Sequence, residues 1–86
     1  MNDLVLIHGW GVGSYVWAPL LEALAVSAPR CRIHLFDLPG YGSAVPDSGS
    51  FVAQAQKLLA TLPPDCTLCG WSLGALFALQ MAQWAP

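Results

Sequence analysis

The chain alternates short, largely apolar runs with longer segments of helical periodicity, and few folds accept that order. The apolar runs are residues 4–8, 32–36 and 66–69. Runs of this length are typical of parallel strands that are covered on both faces. A segment of helical character follows each run, at residues 17–28, 51–62 and 73–84. The order β-α-β-α-β-α predicts an α/β fold with a parallel three-stranded sheet and right-handed crossovers.

Local signals predict where the helices begin and end. Pro19 is tolerable because it falls in the first turn of the first helix. Ser50 is a plausible N-cap of the second helix, which Pro63-Pro64 closes. The third helix is apolar almost all round and carries a stripe of small residues that lets it lie close to a sheet: Gly74, Ala78 and Ala82. Such a helix is normally buried on more than one side, which three strands cannot provide.

Charged residues are scarce in this chain. Only 9% of its 86 residues are charged and 56% are hydrophobic, against about 25% charged in an average soluble domain. This composition is that of a buried interior with little surface of its own, which leaves two explanations: a membrane segment, or the core of a larger protein cut short. A membrane-spanning helix needs about 20 consecutive apolar residues, and the helical candidates are shorter. Asp3 stands where a signal peptide would be positively charged, so the cytoplasm is the expected compartment.

Charge and cysteine content exclude further classes of function. The net charge is −2 with three fixed cations, which argues against a nucleic-acid surface. Three cysteines form an odd set, which does not suggest a disulfide framework. Cys66 and Cys69 lie three apart on a predicted strand and so face opposite sides of it. That arrangement suits neither a metal nor a redox pair, and we expect neither a metal nor an organic cofactor.

The segment Gly70-Trp71-Ser72-Leu73-Gly74 lies where the third strand meets the third helix. It matches G-x-S-x-G, in which a serine on a sharp, strained turn projects its Oγ into a cleft. The flanking glycines are needed because strand and helix crowd together there. We predict that Ser72 is a nucleophile and that the N–H of Leu73 donates to an oxyanion, an interaction worth about 3–4 kcal/mol. The alternative is a tight turn with an incidental serine.

The loop His8-Gly9-Trp10-Gly11 after the first strand is the predicted source of a second oxyanion donor. If the second and third strands pair on opposite sides of the first, the spatial order is 2-1-3. The chain then reverses direction between the first and third strands, and ligands bind at such a switch point, beyond the carboxyl ends of the strands. Trp10 and Ser72 both lie there, so the Trp10 N–H is the candidate donor.

With Asp37-Leu38-Pro39-Gly40-Tyr41-Gly42, these two motifs resemble the α/β-hydrolase superfamily over essentially the whole chain. Trp10, Trp71 and Leu73 make the chain most similar to the pimeloyl-acyl-carrier-protein methyl ester carboxylesterases of biotin synthesis. The resemblance implies a serine esterase, acting without cofactor on a small acyl ester or an ester linked to acyl-carrier protein.

The same resemblance implies roles for particular residues. Ser72 would be the nucleophile, and Trp10 and Leu73 would contact the substrate and donate to the oxyanion. Four further residues are candidates for the pocket: His8, Gly9, Tyr41 and Trp71.

The chain departs from that family in one respect. In the family, the catalytic acid and then the histidine follow the nucleophile, whereas residues 73–86 contain no Asp, Glu or His. His8 could stand in as a base, although a histidine at this position more often holds its loop, and Asp37 resembles a residue that holds a turn. The resemblance therefore implies that residues 1–86 are the N-terminal part of a single α/β-hydrolase domain. We expect the isolated chain to be inactive and its partner to be the missing C-terminal portion. The alternative is a non-catalytic fragment or binding module.

A dinucleotide-binding unit is the remaining rival. Gly9, Gly11 and Gly13 lie between a strand and a helix, and Asp37 ends the next strand, where it could hold a ribose. The third glycine of the expected motif would, however, fall at Ser14. This interpretation also leaves the segment around Ser72 unexplained.

Overall fold

The computed structural model describes residues 3–42, 44 and 46–85 and contains three strands and three α-helices. The strands are β1 (Asp3–Ile7), β2 (Arg32–Phe36) and β3 (Cys66–Gly70). The helices are α1 (Ala18–Ser27), α2 (Phe51–Thr61) and α3 (Leu73–Trp84). The predicted order β-α-β-α-β-α is confirmed, and no end of a strand or α-helix is displaced by more than one residue.

The sheet is parallel, with β1 in the centre and β2 and β3 on either side of it. Ile7, the last residue of β1, stands opposite Phe36 of β2 and Gly70 of β3. The predicted 2-1-3 order is therefore confirmed, and the carboxyl ends of all three strands lie level. Whatever follows those ends is brought to one edge of the sheet.

The core lies on the face of the sheet that carries Val5 and Ile7. These side chains are buried together with Phe77 and Met81 of α3 and Ala55 of α2. The right-handed crossover from β1 to β2 runs in the opposite direction to the one from β2 to β3, which puts α1 on the other face. The chain thus forms a helix–sheet–helix sandwich in which β1 is buried on both sides.

Helix α3 packs closely against β1 through Gly74, which is buried. Its opposite side remains apolar and open, because Leu76 is 57% and Leu79 63% exposed. The sequence predicted that such a helix could not be covered on every side by three strands, and this exposure agrees with that expectation. No helix in the described ranges has the length and apolar character required to cross a membrane.

The start of the first helical segment differs from the prediction. A 3-10 turn occupies Ser14–Trp17, and α1 begins only at Ala18, with Pro19 in its first turn. The Asp37 carboxylate accepts the Ser14 N–H at 3.1 Å and anchors the beginning of that turn. The turn is thus held by a residue 23 positions away, which helical periodicity does not reveal.

Candidate active site

The turn after β3 and the loop after β1 touch at the carboxyl edge of the sheet. The Trp71 N–H donates to the carbonyl of Ile7 at 3.1 Å, which ties the turn to the end of β1. A methyl group built on Gly9 would lie 3.2 Å from Cβ of Ser72 and 3.1 Å from the Trp71 carbonyl oxygen. Residue 9 must therefore be small, and the loop that carries Trp10 passes directly beside Ser72.

Ser72 occupies a backbone conformation that side-chain-bearing residues rarely adopt, with φ 57° and ψ −116°. It stands at the N-cap of α3, yet within the described residues its hydroxyl caps no backbone N–H. Ser50 shows the ordinary alternative: at the N-cap of α2 its backbone is extended and its Oγ accepts the Ala53 N–H at 3.1 Å. The exposed Ser72 hydroxyl is thus left available for other chemistry.

The flanking glycines explain why the chain turns so sharply at Ser72. A Cβ on Gly70 would lie 2.5 Å from the amide nitrogen of Ala75 and would also strike the carbonyl of Gly74. A Cβ on Gly74 would lie 2.6 Å from the carbonyl oxygen of His8 and would also strike that of Ile7. Both glycines let α3 start against the main chain of the sheet, which is the crowding expected of G-x-S-x-G.

Two backbone N–H groups are candidates for binding an anion beside Ser72. Leu73 is the first residue of α3, so its N–H has no acceptor within the helix and lies at the positive end of the helix dipole. The Trp10 N–H belongs to the neighbouring loop, which turns through Gly11 at φ 77°. The indole rings beside these donors are open to solvent, with Trp10 77% and Trp71 50% exposed.

His8 is completely buried and holds the loop after β2. Its Nε2 accepts the Leu38 N–H at 2.9 Å, and its Nδ1 lies 2.8 Å from the Gly9 carbonyl oxygen. This pairing assigns the neutral tautomer with the proton on Nδ1. Because both ring nitrogens are engaged with the main chain, His8 would have to release Leu38 before it could accept a proton from Ser72.

Two further side chains of the loop after β2 contact the loop after β1. The Tyr41 hydroxyl accepts the Gly11 N–H at 2.9 Å, and the Tyr41 ring meets the His8 ring edge-on at 4.8 Å. The Asp37 carboxylate accepts the Ser14 N–H and encloses the turn at Gly42. The sequence marked these residues only as a pocket candidate and a turn residue. It carries no signal for their bonds, because the partners are main-chain N–H groups distant in sequence.

Because the Asp37 carboxylate already accepts a main-chain N–H, the ribose-binding role that a dinucleotide site would require is disfavoured. Across residues 3–42, 44 and 46–85, no three His, Cys, Asp or Glu side chains converge as a metal site would require. The cysteines Cys31, Cys66 and Cys69 are free thiols.

Asp3 and Asp47 take part in ion pairs outside the loops beside Ser72, whereas within those loops Asp37 Oδ1 lies 3.9 Å from His8 Nε2. At the amino end of the sheet, Asp3 contacts His34 at 2.9 Å and Arg32 at 3.3 Å. The hydrogen bond from His34, aided by the charge of Arg32, lowers the pKa of the Asp3 carboxyl. Before α2, the hydrogen bond from Lys57 and then that from the Gly49 N–H lower the pKa of Asp47. Asp47 is therefore a paired group.

The fold and this arrangement define an α/β-hydrolase. The sequence profile described as "Alpha/beta hydrolase family" matches residues 4–86, and the chain belongs to that family. Within it, the chain is similar to proteins named pimeloyl-[acyl-carrier protein] methyl ester esterase. The protein of that name from Aeromonas hydrophila is 48% identical in an alignment 84 residues long that covers 93% of this chain and 32% of the relative.

Two further relatives carry the same name. The protein from Aliivibrio salmonicida is 45% identical and that from Photobacterium profundum 46% identical, each over 86 residues that make up 99% of this chain. The alignments cover 32% and 33% of those proteins, so the chain spans about a third of the length of the curated relatives it matches. The similarity to this hydrolase family and to these esterases, predicted from the motifs, is confirmed.

Proposed function

We propose that Ser72 is the nucleophile of a carboxylic ester hydrolase. Its Oγ attacks the ester carbonyl, the alcohol leaves, and water releases the acid from the resulting acyl-serine. The observation that carries the proposal is the contrast between the two N-cap serines. The Ser50 hydroxyl accepts a hydrogen bond from its own helix, whereas Ser72 has a strained backbone and a hydroxyl that caps no N–H among the described residues. Strained residues of this kind cluster at functional sites.

The N–H groups of Leu73 and Trp10 are the proposed oxyanion hole. Negative charge develops on the carbonyl oxygen as Ser72 attacks, and fixed donors aimed at that position stabilise the transition state. One such donor is worth roughly 2.7–4 kcal/mol. Leu73 adds the helix dipole to its hydrogen bond, and the Trp10 loop is held beside Ser72 by the close approach at Gly9.

The proposed substrate is an acyl ester, with pimeloyl-acyl-carrier-protein methyl ester, an ester of biotin biosynthesis, as the best candidate. Support comes from the names of the three relatives, which are 45–48% identical to this chain. The exposed indoles of Trp10 and Trp71 offer apolar surface beside Ser72. Gly9 lies against the Trp71 ring, and His8 and Tyr41 link the loop that carries Trp10 to the loop after β2.

We further propose that the acid and base of the site come from protein outside these 86 residues, the C-terminal part of one α/β-hydrolase domain. Residues 73–86 contain no Asp, Glu or His, and both ring nitrogens of His8 are already bonded. Without a base a serine is a weak nucleophile, and loss of one triad member costs on the order of 10⁴–10⁶ in turnover. The 86 residues alone would therefore turn over little ester.

The test is labelling by a fluorophosphonate probe, with and without the C-terminal part of the Aeromonas hydrophila relative added in trans. We expect labelling to appear with the added part, to vanish in Ser72→Ala, and to persist in the control Ser50→Ala. Equal labelling of Ser72→Ala and the unsubstituted chain would refute Ser72 as nucleophile. Strong Ser72-dependent labelling without the added part would instead place a base, with His8 foremost, inside this chain.

A further inference from the structure

The loop that carries Trp10 is held from one side by the loop after β2. Three of its residues are bonded to that neighbour: the His8 ring accepts the Leu38 N–H, and the Gly11 and Ser14 N–H groups donate to the Tyr41 hydroxyl and the Asp37 carboxylate. The bonds to His8 and Gly11 fall on either side of Trp10 in the sequence. Trp10 itself supplies no anchor, because its side chain is 77% exposed.

We propose that Tyr41 is a positioning residue for the oxyanion donor at Trp10. Its phenolic oxygen accepts the N–H of Gly11, the residue immediately after Trp10, at 2.9 Å. Fixing the residue after Trp10 restricts rotation of the chain at Trp10 and hence the direction of the Trp10 N–H. This inference rests on the proposed function, since it assigns Tyr41 a task only if that N–H binds the oxyanion.

The surroundings of Tyr41 suit such a task. The ring is half-buried and packs against the hydrophobic core, and it meets the buried His8 ring at an interplanar angle of 62°. Its own N–H donates to the Leu38 carbonyl at 2.9 Å, which fixes the backbone from which the side chain reaches out. Tyr41 is therefore rigid at its base and at its ring, and its hydroxyl is a fixed acceptor.

The backbone at Gly11 needs a fixed hydrogen-bond acceptor. Its φ is 77°, and glycine leaves such a conformation easily when no other group holds it. The hydrogen bond from the Gly11 N–H to the Tyr41 hydroxyl restricts the backbone, as a side chain would at a residue other than glycine. Loss of one ordinary hydrogen bond shifts a local opening equilibrium by about two- to tenfold. That is enough to scatter the direction of an N–H that has to meet a single oxygen atom.

Tyr41→Phe removes the acceptor and keeps the ring, so its packing on His8 is retained. Tyr15→Phe is the matched control, because it removes the same hydroxyl from a tyrosine that follows Trp10 in the sequence and is 72% exposed. The readout is the NMR order parameter of backbone N–H groups in the 86-residue chain labelled with ¹⁵N. We expect Trp10 to be ordered, at about 0.85, in the unsubstituted chain and in Tyr15→Phe, and to fall toward about 0.6 in Tyr41→Phe.

The N–H of Leu73 serves as the internal reference, since α3 makes no bond to Tyr41 and its order parameter should stay constant. In the unsubstituted chain the Gly11 N–H should also exchange with solvent several-fold more slowly than the Trp10 N–H, a measurement that needs no variant. An unchanged order parameter at Trp10 in Tyr41→Phe, or fast exchange at Gly11, would overturn the inference. Neither measurement needs turnover, so its failure is distinct from a failure of Ser72 to react.

Discussion

Replacing Ser72 by glycine should stabilise the fold while abolishing the proposed chemistry. A side-chain-bearing residue held at φ 57° and ψ −116° costs about 1–3 kcal/mol relative to a relaxed conformation. Glycine adopts positive φ freely, but it loses about 0.5–1 kcal/mol more conformational entropy on folding. Within the described residues no helix-capping bond is lost, because the Ser72 hydroxyl makes none. The free energy of unfolding should therefore rise by about 1 kcal/mol, within a range of about 0–2.5 kcal/mol.

Urea unfolding followed by tryptophan fluorescence and far-UV circular dichroism would measure the change, and a gain of 1 kcal/mol raises Tm by about 4–8 °C in a domain of this size. Ser72→Ala is the control for the backbone term. It removes the hydroxyl but keeps Cβ, so its stability should stay within about 0.5 kcal/mol of the unsubstituted chain. An equal gain in both variants would trace the effect to the hydroxyl and refute the reasoning from strain, as would a loss of stability in Ser72→Gly.

Three further predictions concern the helices and the sheet. Gly74→Ala should lower the free energy of unfolding by about 1–3 kcal/mol, because its Cβ meets the carbonyls of Ile7 and His8; an unchanged urea midpoint would contradict this. Ser50→Ala should cost about 1 kcal/mol, since it removes the N-cap bond of α2, and amide exchange in the first turn of α2 should quicken. Because the pKa of Asp3 is lowered in the folded state, its contribution is present above the usual value of 3.8 and is lost as the pH falls below it. The difference in urea midpoint between the unsubstituted chain and Asp3→Asn should therefore shrink below pH 3.8, and a difference independent of pH would count against the ion pair.

The sheet and the helices could be predicted because their signals are local. The strands are runs of apolar residues, and the extents of α2 and α3 follow from a serine cap, prolines and periodicity, as observed at Ser50 and at residues 73–84. Two ends of elements depend on distant partners and were missed. The 3-10 turn at Ser14 is held by Asp37, and β1 extends back to Asp3, whose carboxylate pairs across the sheet with Arg32 and His34.

The part of the candidate site that could be predicted is likewise the part with a local signal. Gly70 and Gly74 encode the crowding around Ser72 in the sequence itself, because only glycine fits against the main-chain atoms found there. The bond between Tyr41 and Gly11 has no such signature. Its acceptor and donor are 30 residues apart, and any residue other than proline could have supplied the N–H.

The stability of β1 and the geometry of the site cannot be separated, because Ile7 at the end of β1 and His8 directly after it contact both the turn at Ser72 and the loop after β2. The Ile7 carbonyl accepts the Trp71 N–H and also faces Gly74, so it fixes both sides of Ser72. The His8 ring holds Leu38 at the start of the loop that carries Tyr41, and its backbone continues into the Trp10 loop. A displacement at this strand end would therefore move Ser72 and the two candidate oxyanion donors together. With the C-terminal part of the relative added, substitutions in the core beneath Ile7 should consequently weaken fluorophosphonate labelling of Ser72 before they unfold the chain, since donors aimed at a developing charge tolerate smaller displacements than a hydrophobic core does.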